Sequence, residues 1–345
     1  MVRIKDIALK ANVSTATVSY ALNGNGTINP EMRERVLKVA KEMNYQTNHI
    51  AKSLKIKKTR TIGIVVEDLT SFNSSEIMDG IYEYAELNDF SILFTNMRVV
   101  KRLGNQYANI ELCAKLTPNV IKEVLNKQVD GLIFIGVHPR DVTGMILEET
   151  LPIVYTYCYT SGETDYSVNY DDFYAAYEAM KYLISFGHKK IGVISGLINS
   201  DPSRERFNGF YQALADHQLQ FNPSWIKTGD WEFHSGFEMA NELLAVEDHP
   251  TAILAMNDNM AAGAIDACLE RGLILPQDIS IIGIDDREFS SYIKPKLTTM
   301  KLPLHEMGVE SMKTMIDILN KEGQEARIKK LNCSLVIRNS VDKLK

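Results

Sequence analysis

The chain has 345 residues, too many for one small domain, and an ordinary globular composition. It holds no apolar run of about eighteen residues that would span a membrane, and its opening, MVRIKDIALK, lacks the apolar core of a signal peptide. Charge is uneven. Residues 1–60 carry twelve bases and four acids, a net of about +8, which leaves the rest of the −6 chain near −14. A basic arm on an acidic body suits a polyanion partner at one end, although a solvated surface would show the same bias. Four widely spaced cysteines, Cys113, Cys158, Cys268 and Cys333, fit buried thiols of a reduced cytoplasm better than disulfides or a zinc site.

Residues 4–23 read IKDIALKANVSTATVSYALN. Asp6 flanks or caps a first helix with apolar positions at Ile4, Ile7, Ala8 and Ala11. Asn12-Val13-Ser14 makes the turn, since Asn tolerates left-handed backbone. Ser14 then caps a second helix over Thr15–Leu22. Ala8, Val13, Val18 and Leu22 are spaced to pack inward, leaving Thr15, Ala16, Thr17, Ser19 and Tyr20 outside, where the helix start is free to enter a major groove. A helical hairpin that merely caps the body has the same periodicity. Asn29 and Pro30 start a third helix, Pro30–Met43, and a basic connector follows over 47–60.

Beyond it, short Ile/Val-rich runs mark strands at Thr61–Val66, Phe90–Thr95, Gly131–Ile135, Pro152–Tyr157, Lys190–Ile194, Ala252–Met256, Ile279–Ile284 and Ser334–Ile337. Helix-period segments lie between them: Glu76–Leu87, Asn119–Lys127, Phe173–Phe186, Arg204–His217, Ser235–Leu244, Asn259–Arg271 and His305–Asn320. Met97–Pro118 is poorly periodic. The alternation predicts an α/β body of two doubly wound parallel-sheet lobes behind an all-α headpiece. Ligands of such sheets sit beyond the strands' carboxyl ends.

KDIALKANVSTATVSYALNG followed by NYQTNHIAKSLK resembles the headpiece and hinge of the lactose/galactose repressor (LacI/GalR) family of bacterial transcription regulators. Further matches in the body extend the resemblance over nearly the whole chain. The resemblance implies a helix-turn-helix headpiece over 1–46, a hinge helix and linker over 47–60, and a periplasmic-binding-protein-like body. Its first lobe would be 61–160 with 302–326, and its second 161–301 with 327–345. It implies that Thr15, Ala16 and Tyr20 read bases, while Ser14, Thr17, Ser19 and Asn23 touch phosphates or neighbouring base edges. In the family, the segment matching Asn48–Lys55 forms a helix in the minor groove. Leu54 takes the place of the wedge that kinks the duplex, flanked by Lys52 and Lys55 at phosphates; an ordinary buried leucine is the alternative. Thr47 stands where the family usually has proline, which leaves the free hinge less rigid.

In the body, Arg204–Phe210 resembles the family's arginine-bearing helix, with Arg206 at the ligand position. Gly229–Phe237 resembles the segment that brings an aromatic ring, Trp231, to the effector. Asn257 and Asp285 follow predicted strands and lie at a crevice independently of any resemblance. Fork donors, an amide and a carboxylate suit vicinal hydroxyls, and an indole face suits stacking, so the set reads as a carbohydrate site. Singly, Asn257 or Asp285 would serve as a helix cap, Trp231 as core and Arg206 as a surface charge. Asn73 and Ser74, in the loop Ser71-Phe-Asn-Ser74, and, from the crossover strand, Tyr157 are further candidate effector contacts. Trp and Asn lean towards the galactoside-responsive branch, while nucleobase effectors use the same fold. No GxxxxGK[ST], HExxH or GxSxG occurs, so no enzyme, cofactor or metal is expected. Too few residues follow the last strand for a heptad tail, so a homodimer on a pseudo-palindromic operator is expected. A cytoplasmic sugar- or nucleobase-binding module without a DNA role, and an enzyme on the same fold, are the competing readings.

Overall fold

The computed structural model describes residues 2–23, 28–45, 59–107, 109–146, 151–162, 165–322 and 327–344. The chain divides into two units, Met1–Thr59 and Arg60–Lys345, each with its own core. Among the described residues no helix is long and apolar enough to cross a membrane.

In the first unit, helix α1 (Ile4–Ala11) begins where the Asp6 carboxylate accepts the Arg3 N–H at 2.8 Å. It stops at Asn12, whose φ of 50° and ψ of 53° are left-handed. Ser14 caps α2 (Thr15–Asn23), its Oγ accepting the Thr17 N–H at 3.0 Å. Asn29 caps α3 (Pro30–Glu42), its Oδ1 accepting the Glu31 N–H at 2.9 Å. Ile7, Ala8, Ala11, Val18, Ala21, Val36 and Ala40 close the core, with Val13 and Leu22 half-buried at its margin.

The second unit carries two six-stranded sheets. The first contains β1 (Thr61–Val66), β2 (Ser91–Asn96), β3 (Gly131–Ile135), β4 (Ile153–Thr156), β5 (Tyr166–Tyr170) and β11 (Ile328–Leu331), in the order β11-β5-β4-β3-β1-β2 and all parallel. The second contains β6 (Ile191–Ser195), β7 (Ile226–Thr228), β8 (Ala252–Ala255), β9 (Ser280–Asp285), β10 (Thr298–Lys301) and β12 (Ser334–Val336), in the order β12-β10-β9-β8-β6-β7, with only the β10–β12 pair antiparallel. Strands β3, β6, β8 and β9 are buried along their length, which explains why they read as continuous apolar runs. In β3, Ile133 and Ile135 join one core, while Leu132 and Phe134 join the other across the sheet.

Helices α4 (Ser74–Leu87), α5 (Val99–Leu103), α6 (Ile110–Leu125) and α11 (Leu304–Asn320) accompany the first sheet. With the second go α7 (Asp172–Ser185), α8 (Asp201–Asp216), α9 (Phe233–Leu244) and α10 (Asp258–Glu270). Close approach of α4 and α11 requires glycine on both: a Cβ on Gly80 would lie 2.0 Å from the His305 carbonyl oxygen, and one on Gly308 2.1 Å from that of Ile77.

Sheet membership moves two expected lobe boundaries. Tyr166–Tyr170 and Ile328–Leu331 both join the first sheet, whereas the sequence reading assigns 161–301 and 327–345 to the second lobe. Tyr-Ser-Val-Asn-Tyr lacks an apolar run because Ser167 and Asn169 are buried polar residues. The stretch Met97–Pro118 also gains structure. It supplies α5 and the first half of α6, where Cys113, Thr117, Val120, Ile121 and Val124 form one buried stripe. Pro118 sits inside α6, not before it, so a residue that reads as a helix stop costs one backbone hydrogen bond instead.

Candidate functional sites

In the headpiece unit the expected reading positions divide by exposure. Thr15, Ala16 and Tyr20 are exposed, Thr17 and Ser19 half-buried. The Ser14 and Thr17 hydroxyls lie 2.8 Å apart and bond to each other, so both belong to the cap network. Asn23 ends α2. Lys5, Arg33, Arg35, Lys38 and Lys41 are exposed on α1 and α3, and Lys10 lies 3.6 Å from Glu42 on the surface. Asn48, Lys52, Leu54 and Lys55 lie outside the described residues.

The body gathers its polar residues where the strands' carboxyl ends meet. Arg206, on α8, is 3% exposed, which discards the surface-charge reading. Its Nε donates to Asp172 Oδ1 at 2.6 Å, its Nη2 to the Tyr170 hydroxyl at 2.9 Å, and its Nη1 to the Met256 carbonyl. Nη2 lies 3.8 Å from Asp285 Oδ1. The guanidinium sits 5.6 Å from the Trp231 ring centroid. Among the described residues, nothing donates a hydrogen bond to the Asp285 carboxylate. Burial pushes that carboxyl up to about 8, although Arg206 pulls the other way.

Backbone strain collects at the same place. Tyr157, Trp231, Asp285 and Asp286 have φ of 58°, 78°, 132° and 60°. None is glycine, and such conformations persist only where the surroundings over-determine them. Packing and hydrogen bonds supply that constraint at Trp231. Its ring lies on Gly196, where an added Cβ would be 2.0 Å from it, and its carbonyl accepts Asn257 Nδ2 at 2.8 Å. Asn257 Oδ1 meanwhile accepts the Met260 N–H at 2.9 Å. The cap reading of Asn257 therefore holds, and the residue positions the indole. Asp258 holds the neighbouring loop, accepting the Ser290 hydroxyl at 2.7 Å and the Arg287 N–H at 2.8 Å.

From the first lobe, Tyr157 is buried with its ring 5.6 Å from that of Tyr170, which ties it to the Arg206 cluster. Asn73 is fully buried; its Nδ2 donates to the Gly136 carbonyl at 3.0 Å and its Oδ1 has no partner among the described residues. Ser74 is corrected: it too is fully buried, and its hydroxyl donates to the Asp68 carbonyl at 2.8 Å, so it closes its own loop. Four cleft residues escape the sequence reading. Tyr170 and Asp172 flank the end of the unrecognised strand β5. Phe72 packs edge-on against Tyr157 at 6.4 Å, and Arg287, from the other lobe, lies 4.2 Å from its ring centroid. The signal for Phe72 was an aromatic in a four-residue loop otherwise read for its hydroxyls and amide.

Comparison with known proteins places this geometry. The family model described as bacterial regulatory proteins, lacI family, matches residues 3–48, and that of the periplasmic binding protein-like domain matches residues 180–341. The ribose operon repressor of Haemophilus influenzae is 32% identical over 346 residues, covering 100% of both chains. The chain belongs to the LacI family. An HTH-type transcriptional repressor PurR, from Aliivibrio salmonicida, is 34% identical over 349 residues and also covers 100% of both chains. A crystal structure of the Lac repressor dimer bound to operator and the anti-inducer ONPF superposes with a TM-score of 0.77 at 28% identity, over 99% of each chain. This LacI-family member is a DNA-binding transcriptional repressor whose regulatory body has the Lac repressor-like α/β fold.

Proposed function

We propose that the chain works in the cytoplasm as a homodimer on a two-fold symmetric operator, and that a sugar held between the lobes of Arg60–Lys345 sets its grip on DNA. The observation that carries the effector reading is the pair Arg206 and Asp285. Three of the guanidinium's five N–H groups are committed, and Nη2, with one N–H left, lies 3.8 Å from the Asp285 carboxyl, to which no described residue donates a hydrogen bond. Adjacent hydroxyls of a sugar accept from the first and donate to the second, while the Trp231 ring covers an apolar face. The galactoside lean is not carried forward. Asn257, one of the two residues that prompted it, commits its Oδ1 and one Nδ2 N–H to the helix start and to Trp231, and a relative matched end to end is named for the ribose operon.

The test is a titration of operator DNA, selected from a random symmetric library, against pentoses, hexoses and nucleobases. One or more sugars should shift operator affinity about 5- to 150-fold, the usual span of allosteric coupling. A shift produced only by nucleobases would defeat the sugar reading and leave the regulator intact. Trp231→Ala should weaken the active sugar at least tenfold while operator binding without sugar stays unchanged; unaltered sugar affinity would remove the stacking role.

Asp285 gives this binding a pH signature. Its folded value, about 8, stands above the ordinary 3.8, so the unliganded body loses stability as pH rises through that interval. Hydroxyl donors favour the ionised carboxylate. Sugar binding near neutral pH should therefore release a proton, and affinity should climb with pH and level off above about 8. Calorimetry in two buffers of different ionisation enthalpy measures the release, which Asp285→Asn should abolish.

A further inference from the structure

We infer that α2 selects A·T pairs through thymine methyls and single hydroxyl contacts, and that the half-site beneath it carries no required guanine. The inference rests on the proposed operator reading and adds the base composition that this helix accepts.

At about 100° per residue, Thr15, Ser19, Ala16 and Tyr20 fall on one arc of about 140°. Val18 and Ala21 point the other way, into the core. Only the first arc can face a groove. On it, Thr15, Ala16 and the 53%-exposed Tyr20 project furthest, offering a methyl-bearing hydroxyl, a methyl group and a phenol. Ser14 and Thr17 spend their hydroxyls on the cap and on each other. Residues 14–23 contain no arginine, lysine, histidine or glutamine.

This inventory excludes the strongest guanine reader. Guanine presents two adjacent acceptors in the major groove, N7 and O6, and a forked or ammonium cation is what discriminates them. Methyl groups and a phenol ring instead pack against the C5-methyl of thymine, which cytosine and guanine lack. The one amide in the segment, Asn23, is of a type that pairs in bidentate fashion with adenine. The cations stand elsewhere: Lys5 on α1 and Arg33, Arg35, Lys38 and Lys41 on α3 are exposed and suited to phosphates. Affinity and base choice are thus divided between different helices.

The experiment uses the full chain and a library of duplexes with randomised, two-fold symmetric half-sites. The selected half-sites should be A·T at the pairs under α2, and replacing one such pair by G·C should weaken binding about fivefold, the low end for a mismatch. Replacing thymine by uracil at those pairs, which removes only the methyl, should weaken it severalfold. Tyr20→Arg, a change at an exposed position, should create a preference of tenfold or more for guanine at one pair. An obligatory guanine under the wild-type helix, or indifference to uracil, overturns the inference while the operator reading stands. Failure to enrich any symmetric duplex overturns both.

Discussion

Arg206→Met should lower the stability of the body by about 3–5 kcal/mol, the cost of breaking a buried ion pair from one side. It should also abolish effector binding. The guanidinium touches Asp172 at 2.6 Å and lies 3.8 Å from Asp285, and both carboxylates are buried. Removing the cation strands two acids in a low-dielectric site and leaves the Tyr170 hydroxyl and the Met256 carbonyl without their donor. Arg206→Lys restores the charge without the fork, so it should recover part of the stability and little of the effector affinity. The pair Arg206→Met with Asp172→Leu separates the two roles. Replacing both partners of a pair by apolar groups is often neutral for stability, so this variant should regain the share of the loss due to Asp172, with Asp285, the Tyr170 hydroxyl and the Met256 carbonyl still unpaired, and still fail to bind effector. Urea unfolding and calorimetry measure the two quantities. A single Arg206→Met variant that loses less than about 1 kcal/mol, below the range for a broken buried pair, would show that the guanidinium is not the anchor of the cleft.

Why the headpiece was legible from sequence and parts of the cleft were not follows from where each signal resides. Asn12, Ser14, Asn29 and Pro30 act on their immediate neighbours, so residue type alone announces the turn and both caps. Arg206, Trp231 and Asp285 stand out in the sequence because a strand end or a resemblance marks them. Tyr170 and Asp172 were missed with β5, whose alternation of tyrosine, serine and asparagine looks like loop until the sheet buries it. Phe72 and Arg287 owe their place to each other across the cleft, a contact that no local pattern contains. Asn257 shows the reverse limit. Its residue type fits a cap and a ligand contact equally, and only the two hydrogen bonds it makes decide between them. Pro118 is tolerated inside α6 because the buried stripe from Cys113 to Val124 outweighs the one backbone hydrogen bond that the proline forgoes.

Removing residues 1–58 should abolish operator binding and leave effector affinity within about twofold of the full chain. Eleven bases and four acids leave with that segment, so the −6 chain becomes a body of about −13. Such a body is repelled by a polyanion at every separation shorter than the Debye length, about 8 Å at physiological salt. For the intact repressor, log K should fall steeply and linearly with log salt, because each phosphate neutralised by Lys or Arg releases counterions. The truncated chain should give no salt-dependent signal on either selected or random duplexes. Its cleft residues all belong to Arg60–Lys345, which has its own core, so the effector site should survive. Linkage then makes the sharper demand. In the intact protein, operator DNA must change effector affinity by the same factor by which effector changes operator affinity. In the truncated body that factor must become one, because nothing remains to sense the DNA. If operator DNA still altered effector binding to residues 59–345, the DNA would be touching the acidic body, and the division of labour between the two units would be wrong.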